Sequence, residues 1–177
     1  MDFENITLIS FGYFDQELLE MVAADINREF SIPVRFKSGN LDLSEFYDPA
    51  RRQYNGTSLL KKIDTEFAAE YSKTLGLFNV DLFIPILTYI FGQAFLSGRI
   101  GIASIFRLSN ERYGIKSDGK ILGERFSKEA IHELGHMFGL IHCSDTTCVM
   151  RSSTYVEDID QKSNNLCPKC RIQLENK

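Results

Sequence analysis

The three histidines of this chain lie within eleven residues, in the run His132-Glu133-Leu134-Gly135-His136-Met137-Phe138-Gly139-Leu140-Ile141-His142. Three neutral imidazoles can hold a zinc ion and leave its fourth position open to water. Zinc lowers the pKa of that water toward about 7 and polarises a carbonyl, which are the requirements for hydrolysing a peptide bond. Glu133 adjoins the first ligand without being one. It is the candidate general base, taking a proton from the zinc-bound water and passing it to the leaving amine.

The spacing dictates local structure. His132 and His136 are four residues apart, so on a helix their rings differ by about 40° and share a face. Six further residues would carry His142 about 240° around a continuous helix, away from the metal. The helix must stop first, and Gly139 can stop it because glycine takes the left-handed C-terminal turn without a Cβ clash. Its start is expected near Ser127, a good N-cap, with Glu129 complementing the dipole. Phe126, Ala130, Ile131, Leu134 and Met137 supply the apolar surface that packs it.

All four cysteines, Cys143, Cys148, Cys167 and Cys170, fall among the 35 residues after His142. The start Met1-Asp2-Phe3-Glu4-Asn5 has no basic, apolar leader, so a cytoplasmic, reducing location is expected. Reduced thiols at this spacing favour zinc over disulfides, a preference secretion would reverse. A segment this short cannot build a substantial core of its own. A four-cysteine zinc would tie it down and hold His142 in place.

The string HELGHMFGLIH, followed at once by Cys143, then Cys148, Met150 and Cys167-Pro168-Lys169-Cys170, resembles the archaemetzincin family of metzincin zinc metallopeptidases. The segments DPARRQYNG, VDLFIPILTYIFG and GIASIFRLS are similar to that family too. The resemblance implies two zinc ions per chain: a catalytic one on His132, His136 and His142, and a structural one on Cys143, Cys148, Cys167 and Cys170. It also implies Glu133 as the base and Met150 as the methionine turn beneath the ligand rings. Aminopeptidase action on small peptides is implied as well. Metzincin resemblance further implies an edge strand that aligns the substrate by main-chain pairing. Ile100 to Phe106, with Ala103 and Ser104, is the expected strand, and a fully paired interior strand is the alternative.

The elements needed to position these residues follow from periodicity. Strands are expected over Asn5–Gly12, Ile32–Lys37, Val80–Ile90 and Arg99–Leu108, and helices over Asp15–Phe30 and Ser58–Lys73. Residues 38–55 read as mostly loop, and residues 113–120 as a turn. Alternating strands and helices favour an α/β fold, a mixed twisted sheet packed on helices. The 177 residues suit one domain, with residues 1–142 carrying the sheet and active-site helix and 143–177 the cysteine segment. Hydrophobic content of 44% allows a core, and a net charge of -4 argues against a nucleic-acid partner. No apolar run reaches the roughly 20 residues of a membrane span. A monomer acting on peptide substrates is expected. The rival readings are a zinc-binding module with little or no peptidase activity, acting by binding peptides or proteins, and a nucleic-acid-binding zinc ribbon.

Overall fold

The computed structural model describes residues 3–176; the Met1-Asp2 start read above and Lys177 lie outside them. The period-2 alternation of a strand decides which side of the central sheet each residue serves. In β1 (Asn5–Phe11) Ile6 and Leu8 join one core cluster, whereas Ile9 and Phe11 join the other. Helix α1 (Gln16–Phe30) follows, capped by Asp15, whose side chain accepts from the Leu18 N–H. Strand β2 (Val34–Gly39) then pairs parallel to β1. The short strands β3 (Tyr47–Asp48) and β4 (Gln53–Asn55) occupy the stretch expected to be loop.

Helix α2 (Gly56–Phe67) ends well before the expected Lys73, because the chain turns there into β5 (Ser72–Phe78). β5 is the middle strand of the main sheet and is buried along its length. Its polar opening, Ser72-Lys73-Thr74, hides it from a hydrophobicity reading. The Lys73 Nζ is accommodated inside by donating to the carbonyls of Gly98 and Met137, both at 2.7 Å. The expected long strand over 80–90 shrinks to β6 (Leu82–Phe83), which joins β3 and β4 in a second, small sheet. Residues 84–91 leave it as an irregular strap that begins at Ile84-Pro85.

β7 (Gly92–Ala94) and β8 (Ile100–Ser104) complete the main sheet, in the order β2-β1-β5-β8-β7. All its pairs are parallel except β7 with β8. Helices α1 and α3 (Gly119–Met137) cover one face through Val22, Ile26, Phe126 and Ile131, while α2 covers the other through Leu59, Leu60 and Ile63. Each such side chain, taken fully out of water, stabilises the fold by about 1.5–3 kcal/mol. The architecture is thus a layered α/β domain with a mixed sheet.

α3 starts two turns earlier than Ser127. Its N-cap is Asp118, whose side chain accepts from the Ile121 N–H, and Ser127 is buried in mid-helix. Glycines at 119 and 123 mask that first stretch. At Gly123 the helix passes close to α1, where a Cβ would displace the end of the Met21 side chain. Two short helices end the chain, α4 (Val156–Gln161) and α5 (Pro168–Glu175). Arg125 ties α4 to α3 through paired bonds to Asp160 at 2.7 and 2.8 Å. The buried Glu29 of α1 accepts from the Leu166 N–H at 2.7 Å and from Arg171 of α5, fastening the cysteine segment to the body.

Candidate metal centres and active site

The end of α3 is built to return the chain toward its own side. Gly139 has φ +83°, Leu140 N–H donates to Gly135 at 2.8 Å, and Gly139 N–H donates to His136 at 2.8 Å. That pair of bonds is a Schellman termination. It delivers His142 to the other two rings, with centroids 5.3 Å from His132 and 5.0 Å from His136. One ring nitrogen from each histidine lies within 4.8 Å of the others.

The tautomers follow from the backbone. His132 Nδ1 lies 2.9 Å from the Val149 carbonyl and His136 Nδ1 lies 2.8 Å from that of Leu140. A carbonyl oxygen only accepts, so both Nδ1 atoms carry the proton. Each neutral ring then has its lone pair on Nε2, and these two atoms face each other at 3.1 Å. Two lone pairs aimed together repel unless a cation lies between them. Two nitrogens on one tetrahedral zinc would be about 3.4 Å apart, so the donor set fits that ion. Burial, followed by the nearby Lys162 charge, holds His132 well below the ordinary imidazole pKa. Burial likewise lowers His136 and His142. Neutral imidazole is the ligating form.

Glu133 is 5% exposed, and burial, reinforced by the Glu129 carboxylate, pushes its pKa well up. It shares a cleft of about 520 Å³ with all three histidines. The rims are the strap 84–91 and β7 on one side and Ser152–Tyr155 on the other. β7, not β8, is the edge of the main sheet. β8 lies between β5 and β7, so the expectation that Ile100 to Phe106 receives a peptide is corrected: it is the interior strand of the alternative. Ala103 pairs with Gly92, and the Ser104 hydroxyl donates to Val80 at 2.6 Å. The register with β8 turns the main-chain groups of Gly92 and Ala94 toward the unpaired edge.

The four cysteines also converge, with their sulfurs within 4.8 Å of one another and none in a disulfide. Cys143 and Cys167 are 3.7 Å apart. That is far beyond a disulfide bond and close to the roughly 3.8 Å that separates two sulfurs on one tetrahedral zinc. Main-chain N–H groups of Asp145 and Cys167 donate to Cys143 and Cys148 sulfurs, each at 3.4 Å. Such donors stabilise thiolates. Hydrogen bonds of this kind, led by the Cys170 main chain, lower the Cys167 pKa despite burial, while burial raises Cys148 and Cys170.

Three consecutive residues join the two clusters. Cys148 contributes a sulfur to one, Val149 fixes the His132 ring of the other, and Met150 packs under α3. Met150 sits so close that a Cβ on Gly135 would overlap its sulfur, which explains the glycine between the histidines. The Cys143 N–H donates to the Met150 carbonyl at 3.0 Å, closing the loop.

The structure gives places in the site to residues outside the expected set, and it moves Glu129 from the expected first turn to a buried mid-helix position. Gly92 faces Glu133, and a Cβ there would come within 2.8 Å of the Glu133 Cγ and 2.7 Å of the Ile102 carbonyl. Glu129 and Lys162 meet at 3.2 Å within the cleft. The place of Glu129 in the cleft could have been read from its position one turn before Glu133. Nothing near Lys162 in sequence signals its position. Among the described residues, no helix is long and apolar enough to cross a membrane.

The model of peptidase family M54 matches residues 30–176. The archaemetzincin of Pyrococcus abyssi is 42% identical over 153 residues, covering 83% of this chain and 80% of the relative. A zinc-dependent peptidase from Methanocorpusculum labreanum superposes with TM-score 0.88 at 29% identity, over 96% of this chain and 100% of that one. The archaemetzincin of Methanopyrus kandleri gives 0.85 at 32% identity, over 97% and 93%. By its sequence and its fold, the chain belongs to peptidase family M54, the archaemetzincins, and is a zinc metallopeptidase.

Proposed function

We propose that this protein hydrolyses short peptides at the three-histidine centre, with one zinc held by His132, His136 and His142 and a second, structural zinc held by the four cysteines. The observation that carries the reading is the pair of Nε2 atoms facing each other at 3.1 Å, each with its Nδ1 committed to a carbonyl. Zinc bound there supplies Lewis acidity, drawing the pKa of water toward about 7 and polarising a carbonyl. Glu133 serves as general base: its carboxylate takes a proton from the attacking water and returns it to the nitrogen of the departing amine. Burial, followed by the Glu129 carboxylate, raises the Glu133 pKa, which favours its holding the proton before passing it to the departing nitrogen.

The substrate main chain lies along β7, pairing with the outward groups of Gly92 and Ala94. Gly92 leaves the space that Glu133 and a scissile carbonyl must share. A cleft of about 520 Å³ is of the size that encloses a small ligand, which favours short peptides and the aminopeptidase action implied by the family resemblance. Incubation of the zinc-loaded protein with a broad library of short peptides, read by mass spectrometry, tests this. Release of single N-terminal residues is the expected result, release of internal fragments replaces aminopeptidase with endopeptidase action, and no turnover of any peptide refutes the hydrolytic reading. Elemental analysis is expected to find two zincs per chain, and a value of one removes the second site.

A further inference from the structure

The two rims of the cleft are joined by a hydrogen bond. Tyr89, from the strap 84–91, donates its hydroxyl to the Thr154 carbonyl of the opposite rim at 2.8 Å. Both residues line the cleft that holds Glu133 and the histidines, and both reach solvent. A strand lies about 4.8 Å from its neighbour on either side. No peptide main chain therefore passes between two oxygens 2.8 Å apart.

Each end of this bridge is held from behind. The Tyr89 ring packs against Phe91 edge to face, with centroids 5.5 Å apart, and the Arg107 guanidinium covers it at 4.1 Å. Arg107 is fixed in turn by paired bonds to Asp81, both at 2.6 Å. The Gln53 side-chain amide pins the residue before the tyrosine by donating to the Thr88 carbonyl at 3.0 Å. On the other rim, Asp158 accepts from the N–H groups of Thr154 and Tyr155 at 2.9 and 2.8 Å. One exposed hydrogen bond contributes little by itself. A bridge whose two ends are already fixed gives up little freedom on forming, and so it stays formed.

The chain sets how far the bridge is from the chemistry. Gly92 faces Glu133, and Tyr89 comes three residues before Gly92. At about 3.3 Å per residue their main chains are no more than roughly 10 Å apart. A peptide lying along β7 therefore has space for at most about three residues between its scissile carbonyl and the bridge.

We propose that Tyr89 and Thr154 close one end of the cleft, so that a bound peptide must end there and is cut within about three residues of a terminus. Tyr89 is then a specificity-determining residue that selects by chain end rather than by sequence. The inference rests on the cleft being the peptidase site with the substrate along β7. On the aminopeptidase reading, the end at the bridge is the N-terminus.

The test uses one peptide of about twelve residues, long enough to overrun the bridge in any register. It is made free at both ends, or fused at its N-terminus or its C-terminus to a folded carrier protein. Two quantities are read: the first bond cut by the zinc-loaded wild type, found by mass spectrometry at early times, and Kd with the non-hydrolysing Glu133→Gln protein. The first cut is expected within about three residues of the N-terminus, and fusion there is expected to weaken binding about tenfold or more. Fusion at the C-terminus is expected to change neither. Adding Tyr89→Ala is expected to bring cuts at interior bonds and to equalise the three Kd values, with Tyr89→Phe, which loses only the bridging bond, in between. Recognition of the terminal ammonium alone would survive Tyr89→Ala, and a tyrosine that merely braces the rim would slow all three forms alike; either result overturns the closed end. Interior cuts by the wild type also overturn it and leave the peptidase reading intact. A cut and a Kd penalty that follow the C-terminus keep the closed end and replace the aminopeptidase reading. A fusion penalty relieved by Tyr89→Ala, with no turnover of any form, keeps the closed end and refutes hydrolysis.

Discussion

The histidine and cysteine centres touch in sequence at His142-Cys143 and again through Cys148-Val149-Met150, yet they follow opposite plans. One has three nitrogens at the foot of a cleft, with a buried carboxyl group alongside and a sheet edge above. The other has four sulfurs, three of them on buried residues, with main-chain N–H groups donating to two of them. An incomplete donor set leaves a position for chemistry, whereas a complete one leaves only a tie. On the reading proposed above, the difference means that the cysteine centre would act on catalysis through position alone. It holds Val149 against His132 and Met150 under Gly135, and both are backbone or packing contacts that a misplaced loop would lose.

The largest expected effect lies at the open centre. Glu133→Gln keeps the shape of the side chain and removes the base, so kcat is expected to fall about 10²–10⁴-fold while zinc content by elemental analysis stays the same. Turnover close to wild type would mean that proton transfer is done elsewhere. The matching change at the closed centre is Cys148→Ser. It is expected to lower zinc by one ion per chain and destabilise the fold by on the order of 3 kcal/mol or more, read as a drop of about 10 °C in Tm. Unchanged metal content would break the comparison, since the four sulfurs would then not be a site.

A smaller effect sharpens the contrast from the substrate side. Gly92→Ala adds a Cβ against Glu133 and the Ile102 carbonyl. It is expected to cost about 10–100-fold in kcat/KM with both metals retained; a loss of zinc instead would assign Gly92 to the metal site rather than to the cleft.

The smallest effect concerns the frame beneath the histidine helix. Lys73 donates to the Met137 carbonyl at the end of α3, and burial, followed by the neighbouring Arg99 charge, lowers its pKa from 10.5 to about 8. The unfolded chain therefore binds more protons than the native one between pH 8 and 10.5. By linkage, native stability rises as pH increases through that window. The two carbonyls and two rings hold the charged form and moderate the gain to about 1–2 kcal/mol. Denaturant unfolding at pH 8 and pH 10 reads it directly. Lys73→Met is expected to remove this rise, and a slope that persists in the variant would assign it to another group.

Much of this was legible in the sequence for local reasons. The four-residue histidine spacing and the glycine stop each act within a turn or two, so neighbouring residues suffice to read them. The errors came where a distant contact overrode local appearance. The helix carrying the histidines is expected from Ser127 because serine is a good N-cap and Glu129 suits a first turn, yet Asp118 caps it two turns earlier and Gly123 passes against Met21 of α1. β5 looked like the end of a helix because its first residues are polar, yet Lys73 is satisfied by carbonyls 25 and 64 residues away. β8 looked like a sheet edge because it precedes the active helix; β7, a three-residue strand with little hydrophobic signal, took that place.

By itself, the sequence determined the donors and their chemistry: three imidazoles, one carboxyl group, four thiols, and a turn that lets the third imidazole return. Those are properties of residue type and short spacing. The tertiary structure alone decided that Val149 and Leu140 fix the tautomers, that Gly135 exists for Met150, and that Lys162 lies in the cleft beside Glu129. Each of these depends on elements that meet only when the sheet, α3 and the C-terminal segment are packed together, and no local pattern in the chain encodes such a meeting.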